Sequence, residues 1–221
     1  WWAIPIVIIA ILAVVTVRYT HALEPSKPIA AEKDTMVIQV TSLDWKWLFL
    51  YPEQDIATVN YLYIPEDVPI RFELTADAPM NSFWIPQLGG QIYAMSGMAM
   101  ALHLQADEPG VYYGSGANFT GEFFAEMTFL ATAVPEEEFD SWVAEVKASS
   151  GPLTRETYAE LAQPGTADEQ SFAGIPEGLF YEIVNKYVVK GDRPVTGPHR
   201  PGGHGHGHGA HDAGAGSGGS G

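Results

Sequence analysis

The spacing of hydrophobic positions changes several times along this chain and divides it into segments. The first segment is an unbroken apolar run from Trp1 to Val17, which Arg18 closes. About 20 apolar residues are usual for a helix that spans a bilayer, so this run is at the short end of the range. A signal peptide and a buried core helix are the alternatives. Because the run lacks a basic start, a small-residue cleavage site and a polar face, the pattern favours a membrane helix over residues 1–18.

The next two segments differ from the apolar run and from each other. Pro25 and Pro28 lie among charged residues and predict an extended linker over residues 19–34. Over residues 35–134, short runs of alternating apolar and polar side chains are separated by Pro and Gly, which indicates an antiparallel β-sandwich. The alternating sets are Trp45, Trp47 and Phe49; Val59, Tyr61 and Tyr63; Ile70, Phe72 and Leu74; Met98, Met100, Leu102 and Leu104; and Met127, Phe129, Ala131 and Ala133.

The period becomes helical after residue 134. Apolar side chains from Phe139 to Val146 recur at helical spacing behind an acidic start, which favours a helix N-terminus. Thr154 is a candidate N-cap for a second helix, and residues 179–189 form a third helical stretch. Helices this short need an outside surface to hold them. We therefore expect residues 135–191 to form an aromatic-rich helical extension that packs on the sandwich or on a partner.

The last segment, residues 192–221, consists mainly of Gly, Pro and His. Its lack of apolar residues predicts disorder, and its final six residues resemble an expression linker. Its histidines could chelate zinc or nickel loosely, although without a fixed geometry such binding would be weak, and we interpret them as incidental. They are His204, His206, His208 and His211.

The charge balance restricts the partners of this chain. The formal net charge is −16 over 221 residues, which argues against nucleic acid because phosphates would repel such a surface. An acidic surface would suit a cationic partner such as a small basic cytochrome, or it would simply keep an exposed domain soluble. The chain contains no Cys, so disulfide usage gives no information about its compartment.

Several segments carry a resemblance to a known family. These are residues 22–28 (ALEPSKP), 43–54 (LDWKWLFLYPEQ), 80–83 (MNSF) and 91–95 (QIYAM). They resemble subunit II of the cytochrome bo-type ubiquinol oxidases of proteobacteria, which belong to the haem–copper oxidases, and the likeness runs from Trp1 to about Lys190. The resemblance implies a mainly β fold: a cupredoxin-like Greek-key β-sandwich in the periplasm, an N-terminal transmembrane helix that is the second of a hairpin, and a short C-terminal helical extension.

The resemblance also locates a lost metal site. The copper-bearing relatives, the subunits II of cytochrome c oxidases, have a His before a Ser-aromatic pair and a later loop with two Cys, a Glu, a second His and a Met. Two copper ions in this arrangement need bridging thiolates, imidazoles and a thioether. The corresponding positions here are Asn81, Gly116, Thr120, Asn118, Phe124 and Met127. A lone thioether cannot hold copper, so we interpret Met127 as core packing and predict no metal, cofactor or catalytic residue in this chain.

The implied role is that of a non-redox subunit. The resemblance places the haems, the remaining copper and the quinol on the catalytic subunit I of a proton-pumping quinol oxidase that reduces O2 to water. This chain would pack on subunit I and stabilise it, beside small membrane subunits and lipid, in the bacterial inner membrane. Cytochrome c would not be a partner, because an aqueous one-electron donor needs a redox centre near the outer surface.

Two further features have competing interpretations. Trp45 and Trp47 could form a contact with the catalytic subunit, or they could be ordinary core residues of a strand, and the sequence favours neither. Met95, Met98 and Met100, with the histidine tail, suggest the alternative function, a membrane-anchored periplasmic module that handles Cu(I). Methionine is more often a core filler, and Met98 and Met100 share a face at strand spacing, so we interpret the cluster as core packing.

Overall fold

The computed structural model describes residues 1–24, 27–29, 33–188 and 194–195. The histidines of the tail and residues 25–26 and 30–32 of the predicted linker therefore lie outside the described residues. The N-terminal helix α1 (Ala3–Ala22) has 20 residues, none of them buried. Among the described residues, α1 is the one helix long and apolar enough to cross a membrane. It continues past Arg18, where we expected the linker to start, because no proline or glycine interrupts Tyr19–Ala22.

The strands form two sheets that pack face to face. In chain order they are β1 (Met36–Leu43), β2 (Lys46–Tyr51), β3 (Ile56–Val59), β4 (Tyr61–Pro65), β5 (Ile70–Ala76), β6 (Asn81–Trp84), β7 (Ile92–Ala94), β8 (Met100–Leu104), β9 (Gly110–Gly116), β10 (Thr128–Val134) and β11 (Gln170–Ala173). The six-stranded sheet has the order β11-β3-β2-β1-β5-β8, and the five-stranded sheet has the order β4-β10-β9-β6-β7. The predicted mainly β sandwich is confirmed.

The alternation had suggested a sandwich of antiparallel strands, but two pairs of neighbouring strands are parallel. β1 runs parallel to β5, and β10 runs parallel to β4. Alternation reports only which side chains share a face and carries no information on strand direction. Parallel neighbours arise here because the chain crosses between the two sheets before it returns to pair with an earlier strand.

Aromatic side chains fill the space between the sheets. Trp47 and Phe49 of β2 point into it beside Phe72, Phe83 and Phe129, and all five are almost wholly buried. The rings of Phe83 and Phe129 stack with their centroids 5.2 Å apart, and Trp47 meets Phe83 edge to face at 5.4 Å. Such ring pairs add stability beyond the area that they bury. This core fixes the ends of β6, β9 and β10 relative to one another.

Asn60 moves the chain from one sheet to the other, so the prediction that Val59, Tyr61 and Tyr63 share one face of a single strand is wrong. Asn60 adopts a left-handed conformation with φ of 60°, which Asn tolerates better than most residues. Its side-chain oxygen accepts from the Trp47 backbone N–H at 2.9 Å. Val59 therefore ends β3 in one sheet, and Tyr61 begins β4 in the other.

The extension contains three helices and one strand. The helices are α2 (Glu136–Ser149), α3 (Arg155–Leu161) and α4 (Leu179–Asn185), and the strand is β11. As predicted, Thr154 caps α3, since its side chain accepts from the Thr157 N–H at 3.1 Å. We did not predict β11, which extends the six-stranded sheet by pairing with β3. Apolar side chains of α3 and α4 bury the outer face of that sheet.

The extension also buries charged residues of β5. We predicted β5 as a half-buried strand, but Glu73 is 3% exposed and Asp77, which follows the strand, is 7% exposed. The hydroxyl of Tyr181 donates to Glu73, and Tyr158, Lys186 and Tyr187 all donate to Asp77. Buried carboxylates are tolerated where such donors surround them. The extension is therefore attached through polar as well as apolar contacts.

The methionines near β8 are arranged differently from the prediction. We placed Met98 and Met100 in an inward row with Leu102 and Leu104. The two leucines are buried and Met100 packs on the core, but Met98 precedes the strand and is 48% exposed. The turn at Gly97, with φ of 80°, ends the alternation before Met98.

Candidate functional site

Three strand ends bring the lost metal site together. Asn81 is the first residue of β6, Gly116 is the last residue of β9, and Met127 lies directly before β10. The backbone N–H of Gly116 donates to the Met127 carbonyl at 3.0 Å, and that of Ala117 donates to the Ser82 carbonyl at 2.9 Å. Three of the six positions that the resemblance singled out, Asn81, Gly116 and Met127, are therefore neighbours at one end of the five-stranded sheet.

The buried amide of Asn81 is the centre of this site. Its nitrogen donates to the Met127 sulfur at 2.9 Å, and its oxygen accepts from the backbone N–H of Ser82 at 2.8 Å and of Asn118 at 3.4 Å. Asn81 is 0% exposed and Met127 is 1% exposed. Thioether sulfur is a weak acceptor, but a buried amide needs a partner for its N–H. The Met127 side chain is thus engaged within the protein.

Gly116 allows the amide to lie where it does. A Cβ on Gly116 would be 2.7 Å from the nitrogen and 2.8 Å from the oxygen of the Asn81 amide. Real Cβ atoms essentially never make contacts that short, so any side chain at position 116 requires Asn81 to move. Gly116 does not have a positive φ, so its backbone conformation does not require glycine. Glycine is required because the end of β9 lies too close to the Asn81 amide for a side chain.

The remaining positions of the old ligand loop serve other contacts. Asn118 accepts from the Ser82 hydroxyl at 3.0 Å. The backbone carbonyl of Thr120 accepts from the Trp45 indole at 3.3 Å, while its own hydroxyl is buried with no hydrogen-bond partner. Phe124 starts a short 3-10 helix and contacts the ring of Phe119. Asn118, Thr120 and Phe124 do not converge on the Asn81 amide as a ligand set.

These residues do not fit a dinuclear copper centre. Such a centre needs two thiolates and two imidazoles, and the groups in their places are a glycine, a threonine, an amide and a phenylalanine ring. The amide of Asn81 already uses its N–H on the one sulfur at the site. Among the described residues, no group of three or more His, Asp or Glu side chains is placed to hold a metal ion elsewhere.

The two tryptophans of the predicted subunit contact have different environments. Trp47 is 0% exposed, and its indole N–H donates to the Met127 carbonyl at 3.4 Å. It therefore has no surface to offer a partner and belongs to the core, which is the other interpretation that the sequence allowed. Trp45 lies in the turn between β1 and β2 with φ of 62° and is half-buried against Phe123, with ring centroids 5.1 Å apart. Trp45 stays a predicted subunit contact.

Lys46, which lies between the two tryptophans, binds the extension. It is 4% exposed, and its ammonium donates to the Gln163 carbonyl just beyond α3 at 2.7 Å. Burial lowers the pKa of Lys46, and the nearby Asp44 carboxylate partly offsets that effect. The turn that carries Trp45 is thereby joined to the extension on one side and to the old ligand loop on the other.

Sequence reasoning missed one residue of this network, Ser82. It links Asn81, through its backbone N–H, to Asn118, through its hydroxyl. Its burial, with 1% exposed, is visible only in the structure. The signal in the sequence was its position directly after Asn81, because a hydroxyl beside a buried amide requires partners. The serine lies in the segment that carried the family resemblance, but we gave it no role.

Comparison with known protein families agrees with the fold described above. Residues 37–134 match the family described as "Cytochrome C oxidase subunit II, periplasmic domain", and residues 147–191 match the "COX Aromatic Rich Motif". A solved structure with the same fold is the periplasmic domain of subunit II of cytochrome oxidase from Bradyrhizobium japonicum. It is 23% identical, with a TM-score of 0.50, and the alignment covers 54% of this chain and 96% of that chain.

Full-length relatives are more similar in sequence. Ubiquinol oxidase subunit 2 of Acetobacter aceti is 50% identical over 84% of this chain and 61% of the relative. Cytochrome bo(3) ubiquinol oxidase subunit 2 of Pseudomonas aeruginosa is 48% identical over 86% of this chain and 58% of the relative. Quinol oxidase subunit 2 of Bacillus subtilis is 50% identical over 78% of this chain and 54% of the relative. The chain thus spans little more than half the length of these curated relatives.

The fold, the two family matches and the identities agree with the resemblance carried by residues 22–28, 43–54, 80–83 and 91–95. The chain belongs to the subunit II family of the haem–copper oxidases, and the three curated relatives described above are quinol oxidase subunits 2.

Proposed function

We propose that this chain is the non-redox, membrane-anchored subunit II of a quinol oxidase, which packs on the catalytic subunit I and stabilises it. The observation that carries the proposal is the neutral hydrogen-bond network between Asn81 and Met127. Its two residues stand where copper-bearing relatives have an imidazole and a thioether, and the two thiolate positions hold Gly116 and Thr120. A domain that keeps this fold without metal ligands has no means of accepting an electron.

Electron entry then has to lie elsewhere in the complex. A water-soluble donor such as cytochrome c needs a redox centre near the outer surface, which this domain does not offer. A lipid-soluble quinol can deliver electrons within the membrane to the partner subunit. We assign the haems, the remaining copper, O2 reduction and proton pumping to that partner, in line with the quinol oxidase names of the relatives.

The anchor supports a place in the bacterial inner membrane. α1 presents apolar side chains on every side and buries none of them within the chain, which suits a lipid environment or neighbouring membrane subunits. The sandwich would then lie on the periplasmic side. With no redox centre to dock a cytochrome, the acidic residues act as a solvated exterior.

The test is to purify the full chain with its partners in mild detergent and supply two electron donors in turn. We expect O2 consumption with quinol and none with reduced cytochrome c. After dissociation, the chain should be colourless and hold no stoichiometric copper. A near-infrared copper band on this chain, or oxidation of cytochrome c, would contradict the proposal.

A matched pair of variants makes the test sharper. Met127→Leu removes the one thioether of the old metal site, and Met36→Leu removes a thioether from the core at 6% exposure. We expect both variants to keep the same turnover per assembled complex, since neither sulfur transfers electrons. Tight Cu(I) binding by the chain that is lost in Met98→Leu and Met100→Leu variants would instead favour the copper-handling alternative.

A further inference from the structure

The five-stranded sheet carries no charged residue, although the chain has 27 acidic and 11 basic residues. None occurs in β4, β6, β7, β9 or β10. The two sheets differ in this respect, because the six-stranded sheet contains Lys46, Arg71 and Glu73. Charged residues are thus absent from the strands of one layer of the sandwich.

The strand register places the uncharged side chains in rows across the outer face of that sheet. Leu130 lies between Tyr61 and Tyr113, and Thr132 lies between Tyr63 and Val111. Ser115 pairs with both Thr128 and Trp84, and Tyr93 lies on the neighbouring strand. We call the exposed part of these rows the neutral face. It consists of Trp84, Tyr93, Val111, Tyr113 and Leu130.

The neutral face is open, whereas the outer face of the other sheet is covered by the extension. Val111 is 60% exposed, Tyr113 50% and Leu130 45%. Isolated apolar residues are common on protein surfaces, but a contiguous set with Trp and Tyr marks an interaction site more often. Depletion of charge together with enrichment of aromatics is the composition of the buried centre of protein interfaces.

One edge of the same rows is already occupied and indicates what the face accepts. Trp142 of α2 stacks on Tyr63 with ring centroids 4.7 Å apart and meets Tyr61 edge to face at 6.3 Å. The neutral face continues directly from this contact through Leu130 and Thr132 of the next strand. The group that packs on these rows within the chain is thus an uncharged aromatic side chain.

Acidic residues border the neutral face at both ends. Asp107 and Glu108 precede β9, while Glu122 and Glu126 lie in the loop before β10, and all four are exposed. Peripheral membrane binding relies on basic residues that attract anionic lipid, and neither the face nor these border positions supply any. A protein surface with an apolar centre and basic residues around it matches both charge and polarity.

We propose that the neutral face is a docking surface for another subunit of the same oxidase, one that presents an apolar patch bordered by Lys or Arg. This inference rests on the proposed function for the identity of the complex. The contact would attach the sandwich to its partner through the five-stranded sheet, and the six-stranded sheet would stay covered by the extension.

The experiment places a photo-reactive phenylalanine analogue at Tyr113 in the full chain, within the intact complex in membranes. We expect a cross-link to an oxidase subunit that mass spectrometry identifies as a co-purifying partner. The control places the same analogue at Ala148, an exposed position near the end of α2 that is not part of the neutral face, and should give no such cross-link. Cross-links to lipid alone, or none in a complex that retains its haem, would overturn the inference.

A second readout uses charge. Leu130→Glu should lower the retention of the haem-bearing partner by about tenfold, because a carboxylate would be buried in an apolar contact, while Ala148→Glu should leave retention unchanged. If the wild-type chain retains no haem-bearing partner, the proposed function itself fails. If it does and Leu130→Glu matches wild type, only the docking surface is wrong.

Discussion

The hydroxyl of Tyr158 donates to the buried carboxylate of Asp77 at 2.6 Å, joining α3 to the end of β5 across 81 residues of sequence. Lys186 and Tyr187, just after α4, donate to the same carboxylate. Asp77 therefore connects two separate parts of the aromatic extension to the sandwich. Its environment makes several measurable properties of the domain depend on this one residue.

Removing the hydroxyl of Tyr158 should destabilise the domain. A hydrogen bond to a charged acceptor contributes about 1.5–3 kcal/mol, and Tyr158→Phe keeps the ring in place. We expect the free energy of unfolding of the detergent-solubilised chain to fall by about that amount. Tyr93→Phe is the control, since this tyrosine is 48% exposed. Equal stability of the two variants would contradict the role given to the Asp77 contact.

The same carboxylate predicts a loss of stability in acid. Burial raises the pKa of Asp77, but the hydrogen bonds from Lys186, Tyr158 and Tyr187 together outweigh burial and hold it below the ordinary value of 3.8. A group with a depressed folded pKa stabilises the protein above its unfolded pKa and loses that contribution as pH falls through the folded value. We therefore expect the free energy of unfolding to decrease as the pH is lowered from about 4.

Substitution isolates the contribution of this one carboxyl. Asp77→Asn should reduce the acid dependence of the free energy of unfolding and lower stability at neutral pH, where the ion pair with Lys186 is lost. Asp107→Asn, at an exposed position, should leave both properties close to wild type. An unchanged acid slope in Asp77→Asn would assign the acid sensitivity to other groups.

The close approach at Gly116 gives a prediction with a control in the same strand. Gly116→Ala places a Cβ within 2.8 Å of the Asn81 amide, whereas Gly110→Ala meets nothing within 4 Å. Overpacking typically costs about 1–3 kcal/mol, so we expect that loss in Gly116→Ala and almost none in Gly110→Ala. Combining Gly116→Ala with Asn81→Ala should cost less than the sum of the single changes. Strict additivity would show that the two residues do not meet.

Substitution of Trp47 should affect the stability of the domain, whereas substitution of Trp45 should affect its assembly with the partner. Trp47→Ala removes a fully buried ring and should cost about 3–5 kcal/mol. Trp45→Ala, at a half-buried turn, should cost much less and instead weaken retention of the haem-bearing partner. Unfolding by denaturant measures the first effect, and co-purification measures the second. Full retention of the partner in Trp45→Ala would remove Trp45 from the predicted subunit contact.

The parts of this fold that depend on local pattern could be predicted from sequence. The alternation of Phe129, Ala131 and Ala133 identifies an inward face, and the Thr154 cap identifies the start of α3, because both depend on near neighbours in sequence. The alternation around Asn60 could not show that the chain changes sheets there. That switch depends on a left-handed residue and on contacts with Trp47 and Ala167.

In the site, too, local features could be predicted from sequence and contacts between distant segments could not. The absence of thiolates was evident in the sequence, and the absence of the metal that they would hold stays a prediction. The role of Glu73 and Asp77 was not evident, because an alternating strand with charges on one face normally exposes them. Their burial comes from an extension about a hundred residues further on, whose tyrosines supply the donors. Contacts between distant segments leave no periodic signal.

The pairing of β11 with β3 has a consequence for how the chain avoids self-association. β3 would otherwise be an outer strand, with unpaired N–H and C=O groups along one side and the apolar side chains of Leu48, Leu50 and Val59 uncovered nearby. Open strand edges of this kind are templates on which other chains polymerise. A protein that ends after residue 150 would keep its aromatic interior but would tend to aggregate through the uncovered β3. The aromatic-rich segment therefore keeps the sandwich soluble by covering this strand.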